Sequence, residues 1–284
     1  MSEQERPEQD QPRPGTESKM DPEPRSEMGE YAGSGKLEGC RALITGGDSG
    51  IGRATAIAFA KEGAEVAIAY LSEDSDAAET IKLVESAGGR GKDFRVDLSG
   101  EETCEQLISD VVEWLGGLDV LVFHHADQAP VDDYSELSTE QWQHTLQTNL
   151  TSFFWLSRSA LPHLGEGASI IMTGSVNGFR GNSSLIDYAV TKGGIHALIH
   201  SLAQHLQDRG IRVNGVAPGP VWTPLIPATM DEEKVASFGQ QAAMGRSAQP
   251  DEIAPSYVFL ASEQLSSYYT GQILAPTGGE IHPG

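Results

Sequence analysis

The sequence predicts an α/β fold in which a doubly wound parallel sheet of about seven strands carries helices on both faces. Short apolar runs typical of buried strands alternate along the chain with longer segments whose apolar residues recur at helical spacing. A glycine-rich turn follows the first of these runs. At 284 residues the chain is long enough to bury the core of one large domain. We therefore expect a single domain without internal repeats.

Residues 1–36 differ in composition from the rest of the chain. They carry Glu, Asp, Pro, Gln and Ser with few aliphatic side chains, so they bury too little apolar surface to offset the entropy lost on ordering. We predict a disordered, acidic, Pro-rich tail over residues 1–36 and an ordered domain over residues 37–284. The alternative is an arm that docks on a neighbouring subunit, for which the segment around Tyr31 is the expected anchor.

Charge and hydropathy exclude several classes of function. The net charge of −22 and the pI near 4.6 oppose binding to nucleic acid, which needs clustered Lys and Arg. Mean hydropathy is −0.30, and no apolar run approaches the ~20 residues of a spanning helix. The N-terminal residues show no basic region followed by an apolar region, so we expect no secretory signal. Cys40 and Cys104 have no metal-ligand spacing. We expect a cytoplasmic protein with no nucleic-acid or membrane partner.

The first strand–turn–helix unit predicts a dinucleotide site. Residues 42–45 form an apolar strand, and the turn Gly46-Gly47-Asp48-Ser49-Gly50-Ile51-Gly52 leads into an apolar-periodic helix that ends at Gly63. Such a turn lets backbone N–H groups approach a pyrophosphate, whose charge the helix dipole favours. The spacing G-x-x-x-G-x-G differs from the standard G-x-G-x-x-G. The strand–turn–helix context nevertheless favours a Rossmann-type site over a plain turn.

The remaining elements alternate regularly. Ser99 with Glu102 predicts a capping box for the third helix, and Ser138 with Gln141 predicts the cap of a long aromatic helix. The later strands are predicted at residues 65–70, 94–98, 119–125, 168–175, 212–217 and 272–275. The other helices are predicted at residues 74–87, 140–161, 188–206 and 251–261. The helix that follows the capping box of Ser99 and Glu102 is predicted to end at residue 115.

Tyr188 and Lys192 are the candidate catalytic pair. They lie four residues apart, so on a helix both side chains project from one face. A phenol titrates near ~10, and a cation held beside it lowers that pKa toward the range useful in acid–base catalysis. The alternative is a surface aromatic residue next to a solvated charge, because so short a pattern recurs by chance.

Six ordered motifs together resemble the classical short-chain dehydrogenase/reductase family over roughly residue 37 to the C-terminus. They are Thr45-Gly46 through Gly50-Ile51-Gly52, Asp97 after the third strand, Asn149, Ser175, the Tyr188/Lys192 pair, and Pro218-Gly219 leading to Thr223. The Gly-Gly-Asp-Ser-Gly-Ile-Gly turn behind a long tail is most similar to the subgroup of general-stress and glucose-dehydrogenase-like oxidoreductases.

The resemblance implies an NAD(P)-dependent oxidoreductase acting on a small-molecule carbonyl or alcohol. Tyr188 would be the general acid or base, Lys192 would lower its pKa and bind the nicotinamide ribose, and Ser175 would hold the substrate oxygen. Asn149 would hold a water that connects Lys192 to solvent. The implied cofactor contacts are Gly46, Asp48, Ser49, Gly50, Ile51, Gly52, Tyr70, Asp97, Leu98, Ala126, Tyr188, Lys192, Pro218, Gly219, Val221 and Thr223.

The chain departs from the family pattern after the fourth strand. His124-His125-Ala126-Asp127 stands where the family shows Asn-Asn-Ala-Gly. Asp127 in place of glycine costs steric room or adds a negative charge near the cofactor. The histidine pair raises a metal site as an alternative, but no ligand set surrounds it and we expect no metal. A nucleotide-binding redox sensor or scaffold without turnover is the alternative function.

The second departure concerns the choice of cofactor. The second strand ends in Tyr70, where NAD enzymes commonly place an acid that binds the ribose 2′-hydroxyl. The missing acid removes the repulsion against the 2′-phosphate of NADP(H). No Lys or Arg, however, stands there to attract that phosphate. We expect NADP(H) or NAD(H), with a slight preference for NADP(H).

The composition of the later segments predicts a lid over the substrate site and an interface between subunits. Residues 224–243 have the composition of a mobile lid, and an apolar wall is expected from Phe179, Trp222, Leu225 and Ile226. The alternative for each of these four side chains is a place in the core. The long helix over residues 140–161 and the helix after Tyr188 carry more apolar surface than one packing stripe requires. We predict that these helices pair across a twofold axis. The family resemblance implies a second twofold through residues 251–275, which together with the first gives a homotetramer. The alternative is that the apolar side chains of both helices pack within the core of the protomer.

Overall fold

The predicted parallel sheet is present and has seven strands. The computed structural model of the chain describes residues 6–280, in which the strand order is β3-β2-β1-β4-β5-β6-β7 and all neighbouring strands pair in parallel. The strands are β1 Arg41–Thr45, β2 Glu65–Tyr70, β3 Gly91–Arg95, β4 Leu118–Phe123, β5 Leu164–Thr173, β6 Arg212–Val216 and β7 Ile273–Leu274. This confirms the doubly wound α/β fold.

Helices cover both faces of the sheet. One layer contains α1, α2 and α10, and the other contains α3, α5 and α7. The helices are α1 Gly50–Lys61, α2 Asp74–Ser86, α3 Glu101–Leu115, α4 Thr139–Leu146, α5 Ser152–Ala160, α6 Val176–Arg180, α7 Ile186–Leu206, α8 Leu225–Thr229, α9 Glu232–Ala236, α10 Pro250–Ala261 and α11 Glu263–Ser266. None of the helices within residues 6–280 is long and apolar enough to cross a membrane.

The pattern of burial in β1 explains why its consecutive residues 42–44 are all apolar. Side chains alternate between the two faces of a strand. Ile44 packs into the cluster beneath α1 and α10, whereas Leu43 packs into the cluster beneath α3, α5 and α7. A central parallel strand covered on both faces therefore needs consecutive apolar residues.

The direction of sheet growth reverses at β1. The chain builds β2 and β3 on one side of this strand, and then β4 to β7 on the other. In an open α/β sheet this reversal leaves a crevice at the carboxyl ends of the strands, where ligands bind. The loops after β1 and β4 border that crevice.

Two local predictions around the third strand are wrong. The strand covers Gly91–Arg95 rather than residues 94–98, because it is an edge strand whose polar side chains face solvent and give no apolar signal. The N-cap of α3 is Gly100 and makes no side-chain cap bond. Ser99 instead donates its N–H to the Asp97 carboxylate at 2.8 Å, so the predicted capping box does not form.

The long aromatic helix is present but contains a π-helical turn. Ser138 caps α4 and accepts a bond from the Gln141 N–H, as predicted. Between α4 and α5 the turn Gln147–Thr151 is π-helical, and Asn149 lies within it. Such a turn inserts one residue into the helix and shifts the side chains that follow.

The N-terminal segment differs from the expected flexible tail. Residues 6–36 run across the domain, and Met20 and Met28 join its apolar clusters. Glu17 is buried and forms an ion pair with Arg53 at 2.8 Å. Counting apolar residues missed this packing because specific polar contacts provide much of it. Tyr31 is an anchor, but it hydrogen-bonds Glu62 of its own chain.

Candidate active site

A large cavity lies at the carboxyl edge of the sheet, over the crevice between β1 and β4. Its volume is about 1140 Å³, slightly above the range of roughly 300–1,000 Å³ that is common for ligand pockets. Except for Asn149, all the residues that we singled out from the sequence as catalytic or cofactor-binding line this cavity. The structure therefore brings together residues that are more than 150 positions apart in the chain.

The glycine-rich turn packs so closely that side chains would not fit. Gly46 has φ +63°, and a Cβ there would lie 2.8 Å from the His125 backbone nitrogen. A Cβ on Gly52 would lie 1.9 Å from the Gly46 carbonyl oxygen. The helix α1 begins at Gly50, so its positive end faces the cavity. These features fit a dinucleotide whose diphosphate approaches the backbone of the turn.

Lys192 is buried beneath the cavity and held by the sheet. Its Nζ donates to the Thr173 carbonyl oxygen at 2.7 Å and lies 5.4 Å from the centroid of the Tyr188 ring. Its side chain is only 1% exposed. Burial lowers the pKa of Lys192 to about 7, because desolvation disfavours the charged form. A modest change in its surroundings would therefore change its charge at neutral pH.

Tyr188 is buried with its hydroxyl close to Ser175. Burial raises the pKa of Tyr188 to about 12, and the hydrogen bond with Ser175 opposes that shift. The pair Tyr188/Lys192 projects from one face of α7, as the spacing predicted. Burial is the larger of the two influences on the phenol, so the pKa of Tyr188 is raised rather than lowered. At neutral pH Tyr188 is a protonated phenol that can act as an acid.

Ser175 is positioned by the turn that follows β5. It is the N-cap of α6, and its hydroxyl accepts a bond from the Asn177 N–H. The backbone around it is fixed by a bond from Val176 N to the Pro218 carbonyl at 3.0 Å. Its Oγ is thereby held at the cavity wall beside Tyr188.

Asn149 lies behind the cavity wall and clamps the loop after β4. Its Oδ1 accepts from the Asp127 N–H at 2.8 Å, and its Nδ2 donates to the Asp127 carbonyl at 2.7 Å. Nδ2 also lies 3.4 Å from the Thr191 hydroxyl of α7. The π-helical turn thus presents this amide between the β4 loop and the helix that carries Tyr188.

The two histidines after β4 make structural hydrogen bonds. His125 contacts the Thr45 hydroxyl at 2.6 Å and the Ser152 hydroxyl at 2.8 Å, while His124 contacts the Thr173 hydroxyl at 3.1 Å. Burial lowers the pKa of each to about 3, with nearby Lys192 contributing. Both rings are therefore neutral at physiological pH. Across the described part of the chain no three His, Cys, Asp or Glu side chains cluster as metal ligands.

Asp127 fits its position without backbone strain. Among residues 6–280, Met28 is the only non-glycine residue with a positive φ, so the chain at position 127 needs no glycine. The carboxylate turns toward His144 at 3.3 Å and Arg13 at 3.5 Å. Sequence reasoning missed Arg13 because it placed residues 1–36 in a flexible tail, and no short-range signal links the two positions.

Carboxylates are frequent at the opposite end of the cavity, beside β2. The Tyr70 hydroxyl donates to Asp74 at 2.9 Å. Burial raises the pKa of Asp48 to about 6, and the nearby charge of Glu73 adds to the shift. Asp48, Glu73 and Asp97 all line the cavity. A negatively charged 2′-phosphate would meet repulsion from these groups.

Comparisons with known proteins agree with this geometry. A family model described as enoyl-(acyl carrier protein) reductase matches residues 46–280. The uncharacterized oxidoreductase YhdF of Bacillus subtilis is 53% identical over 94% of this chain and 92% of its own length. The chloroplastic NADPH-dependent aldehyde reductase 1 of Arabidopsis thaliana is 46% identical over 94% of this chain and 95% of its own.

A solved structure extends the comparison to a bound cofactor. A short chain dehydrogenase from Burkholderia cenocepacia, crystallised in complex with NADP, superimposes with a TM-score of 0.80 at 30% identity. The match covers 86% of this chain and 98% of that one.

Proposed function

This chain belongs to the short-chain dehydrogenase/reductase family and is an NAD(P)-dependent oxidoreductase, and we propose that it reduces small polar aldehydes with Tyr188 as the proton donor. The observation that carries the proposal is the meeting of Tyr188, Ser175 and Lys192 at one cavity wall, with the phenol protonated by burial. The redox-sensor alternative receives no support from the comparisons, because the named relatives are oxidoreductases.

The proposed residue roles follow from these contacts. The nicotinamide cofactor supplies the hydride in reduction and accepts it in the reverse reaction. Tyr188 gives its proton to the carbonyl oxygen, which Ser175 holds by a hydrogen bond. Lys192 lies beneath Tyr188, where its charge would stabilise the phenolate that remains. It would also bind the nicotinamide ribose.

Asn149 has a positioning role in this proposal. Its amide is bonded to both backbone groups of Asp127, so it fixes the β4 loop relative to α7. The resemblance also implies a water held near Asn149 that reconnects Lys192 to solvent. That relay stays a prediction.

The proposed substrate class rests on the polar side chains around the catalytic end of the cavity and on one relative's name. An aldehyde bearing hydroxyl groups could be bound by the amide, imidazole and guanidinium groups there. They are Gln128, His144, Asn177, Arg180, Asn182 and Gln241. The Arabidopsis relative is named an NADPH-dependent aldehyde reductase, and this activity on small aldehydes is proposed for the present chain as well.

The slight preference for NADP(H) also stays a proposal. The relative's name favours it, and Tyr70 in place of an acid permits it. The carboxylates of Asp48 and Glu73 oppose it. We therefore propose that the enzyme uses both cofactors.

The test is a reductase assay followed at the nicotinamide absorbance band. Purified protein would be assayed with NADPH and NADH against small aldehydes, and in reverse with the corresponding alcohols and polyols. Replacing Tyr188 by Phe removes only the hydroxyl, so we expect turnover to fall by about 10²- to 10⁴-fold while cofactor affinity is retained. Undiminished turnover in Tyr188→Phe would refute the assignment of Tyr188.

We also propose an assembly and a cellular location for the enzyme. Phe154 of α5 and Val190 of α7 are each 46% exposed, and we propose that these helices pair across a twofold axis. Tyr268, which is 99% exposed, would lie at the second twofold of a homotetramer. We also propose residues 37–284 as the oxidoreductase domain of a cytoplasmic enzyme.

A further inference from the structure

The N-terminal segment crosses the mouth of the cavity and contacts three loops at the carboxyl edge of the sheet. Arg13 Nη1 lies 3.5 Å from the Asp127 carboxylate in the loop after β4. Gly15 packs against the loop after β6, where an added Cβ would lie 2.7 Å from the Pro224 carbonyl oxygen. Glu17 accepts a bond from the Gly50 N–H in the turn after β1, at 2.6 Å. Every second residue from 13 to 17 thus touches a different loop of the cofactor site.

This segment forms a wall of the cavity and does not fill it. Arg13, Pro14 and Gly15 are lining residues, and the volume enclosed with them in place is about 1140 Å³. Because drug-sized ligands occupy pockets of roughly 300–1,000 Å³, a ligand can lie between the segment and the sheet. The Glu17 side chain contacts the glycine-rich turn without being among the lining residues.

The contacts of Glu17 and of Arg13 differ in how firmly they are held. Glu17 is 3% exposed, pairs with Arg53 at 2.8 Å and donates its own N–H to the Asp76 carboxylate at 2.7 Å. Breaking such a buried pair leaves an uncompensated charge. The Arg13 side chain is 44% exposed, and a solvent-exposed pair of this kind contributes little. The Glu17 end is therefore fixed, and the Arg13 contact can open.

Beyond Arg13 the segment joins the cover of the substrate region. Gln11 N donates to the Pro227 carbonyl in α8 at 3.0 Å. The Arg6 guanidinium stacks over the Trp222 ring at 4.0 Å and donates to the Ser247 hydroxyl at 2.6 Å. A movement of residues 6–13 would therefore be coupled to the segment after β6.

We propose that residues 11–17, here called the strap, complete the cofactor site by closing over the bound dinucleotide. Cofactor exchange then requires Arg13 to separate from Asp127, with Glu17 remaining fixed on the glycine-rich turn. The proposal depends on the dinucleotide binding of the proposed function. Arg13 and Asp127 are positioning residues in it, and the measured consequence is the rate at which the cofactor dissociates.

The main experiment measures cofactor release by stopped-flow displacement, following the fluorescence of bound NADPH or NADH. Three full-length variants are compared with the wild type. Arg13→Ala removes the cation of the Arg13–Asp127 ion pair. Asp127→Asn removes the carboxylate of that pair and leaves the Arg13 charge in place. Arg25→Ala is the control, because Arg25 is another ion-paired arginine of the N-terminal segment, 3.3 Å from Asp251, but does not line the cavity.

We expect release to accelerate about threefold to fivefold in both Arg13→Ala and Asp127→Asn, the range set by the typical strength of an exposed ion pair. Arg25→Ala should release the cofactor at the wild-type rate. If only Arg13→Ala releases faster, Arg13 acts as a direct ligand of the cofactor and the strap is refuted. The strap is also refuted if all variants release the cofactor at the same rate, or if loss of the Arg13–Asp127 ion pair makes the cofactor bind more tightly.

A second measurement needs no substitution. Hydrogen–deuterium exchange of the wild-type amides of Gln11, Arg13, Gly15 and Thr16 should slow when NADPH or NADH is bound, and unchanged exchange would overturn the proposal. Wild-type cofactor binding and turnover are measured first. If the wild type binds neither cofactor, the proposed function fails; if it binds one and the strap measurements show no effect, only the strap fails.

Discussion

Burial determines the protonation of the titratable side chains that surround the candidate catalytic centre. It raises the pKa of Tyr188 to about 12 and lowers the pKa of Lys192 to about 7. The same effect keeps His124 and His125 neutral. The site therefore holds a protonated phenol above a lysine amine whose pKa lies close to neutral pH. The neighbouring imidazoles are neutral and make hydrogen bonds.

The two half-buried histidines, His124 and His125, should make the protein sensitive to acid. Their folded-state pKa is about 3 and the unfolded value is near 6.5, so the unfolded chain binds protons first as the pH falls. Their contribution to stability is complete above pH ~6.5 and is lost toward pH ~3, by at most about 1.4 kcal/mol per pH unit for each ring. Denaturant unfolding of His124→Asn/His125→Asn at several pH values should show a shallower loss than the wild type.

The control for this comparison is the exposed His163. Replacing His163 by Asn makes the same substitution at an exposed position and leaves His124 and His125 in place, so this variant should lose stability on acidification more steeply than the double variant does. An equally steep loss in the double variant and the wild type would contradict the assignment of acid sensitivity to His124 and His125.

At the scale of elements, the turn between β1 and α1, our proposed cofactor turn, leaves no room for side chains at Gly46 and Gly52. Gly52 lies in the first turn of α1, where Ala would be favoured by roughly 1 kcal/mol on helix propensity alone. The steric effect opposes this, because a Cβ would lie 1.9 Å from the Gly46 carbonyl oxygen. Since backbone must shift to relieve that contact, we expect the steric effect to dominate.

We predict that Gly52→Ala weakens cofactor binding by about tenfold or more, since 1.4 kcal/mol of strain or misplacement corresponds to a factor of ten. Titration with NADPH and NADH measures it. Gly165→Ala is the matched control, because no atom lies within 4 Å of a Cβ built there. Equal affinity in the two variants would show that the turn tolerates a side chain.

The π-helical turn is the element that places Asn149. In a continuous α-helix its side chain would follow the regular helical spacing, whereas the inserted residue brings it between Asp127 and Thr191. The β4 loop is thereby attached to α7. Hydrophobic periodicity predicted one helix over residues 140–161 and contains no signal for this insertion.

At the scale of the whole molecule, apolar surface on α5 and α7 remains exposed in the protomer. Phe154 and Val190 are both 46% exposed, and we predict that this apolar surface forms an interface. Light scattering at low micromolar concentration should give four times the protomer mass of 30.3 kDa. Val190→Arg should dissociate that assembly across one twofold.

Salt provides a check on this prediction. Burial of an apolar face persists when charges are screened, so the fourfold mass should be found in both low and high salt. A mass of 30.3 kDa in both conditions would show that the exposed side chains do not form an interface.

The sequence by itself determined the features that depend on short-range order. Apolar runs and helical periodicity predicted the layered sheet, and the spacing of Tyr188 and Lys192 predicted one helix face. The glycines of the β1–α1 turn predicted close backbone packing, which the structure shows at Gly46 and Gly52. Each of these signals lies within a few residues of chain, because hydrogen bonding and side-chain direction in helices and strands repeat over that length.

The tertiary structure decided what depends on segments far apart in the chain. It placed Arg13 beside Asp127 and Glu17 at Gly50, contacts that turn an apparently flexible tail into a wall of the cavity. It also reversed the expected direction of the Tyr188 pKa, because burial disfavours the phenolate more strongly than the hydrogen bond with Ser175 favours it. Burial and long-range ion pairs arise only when distant segments pack together, and composition or spacing along the chain does not encode them locally.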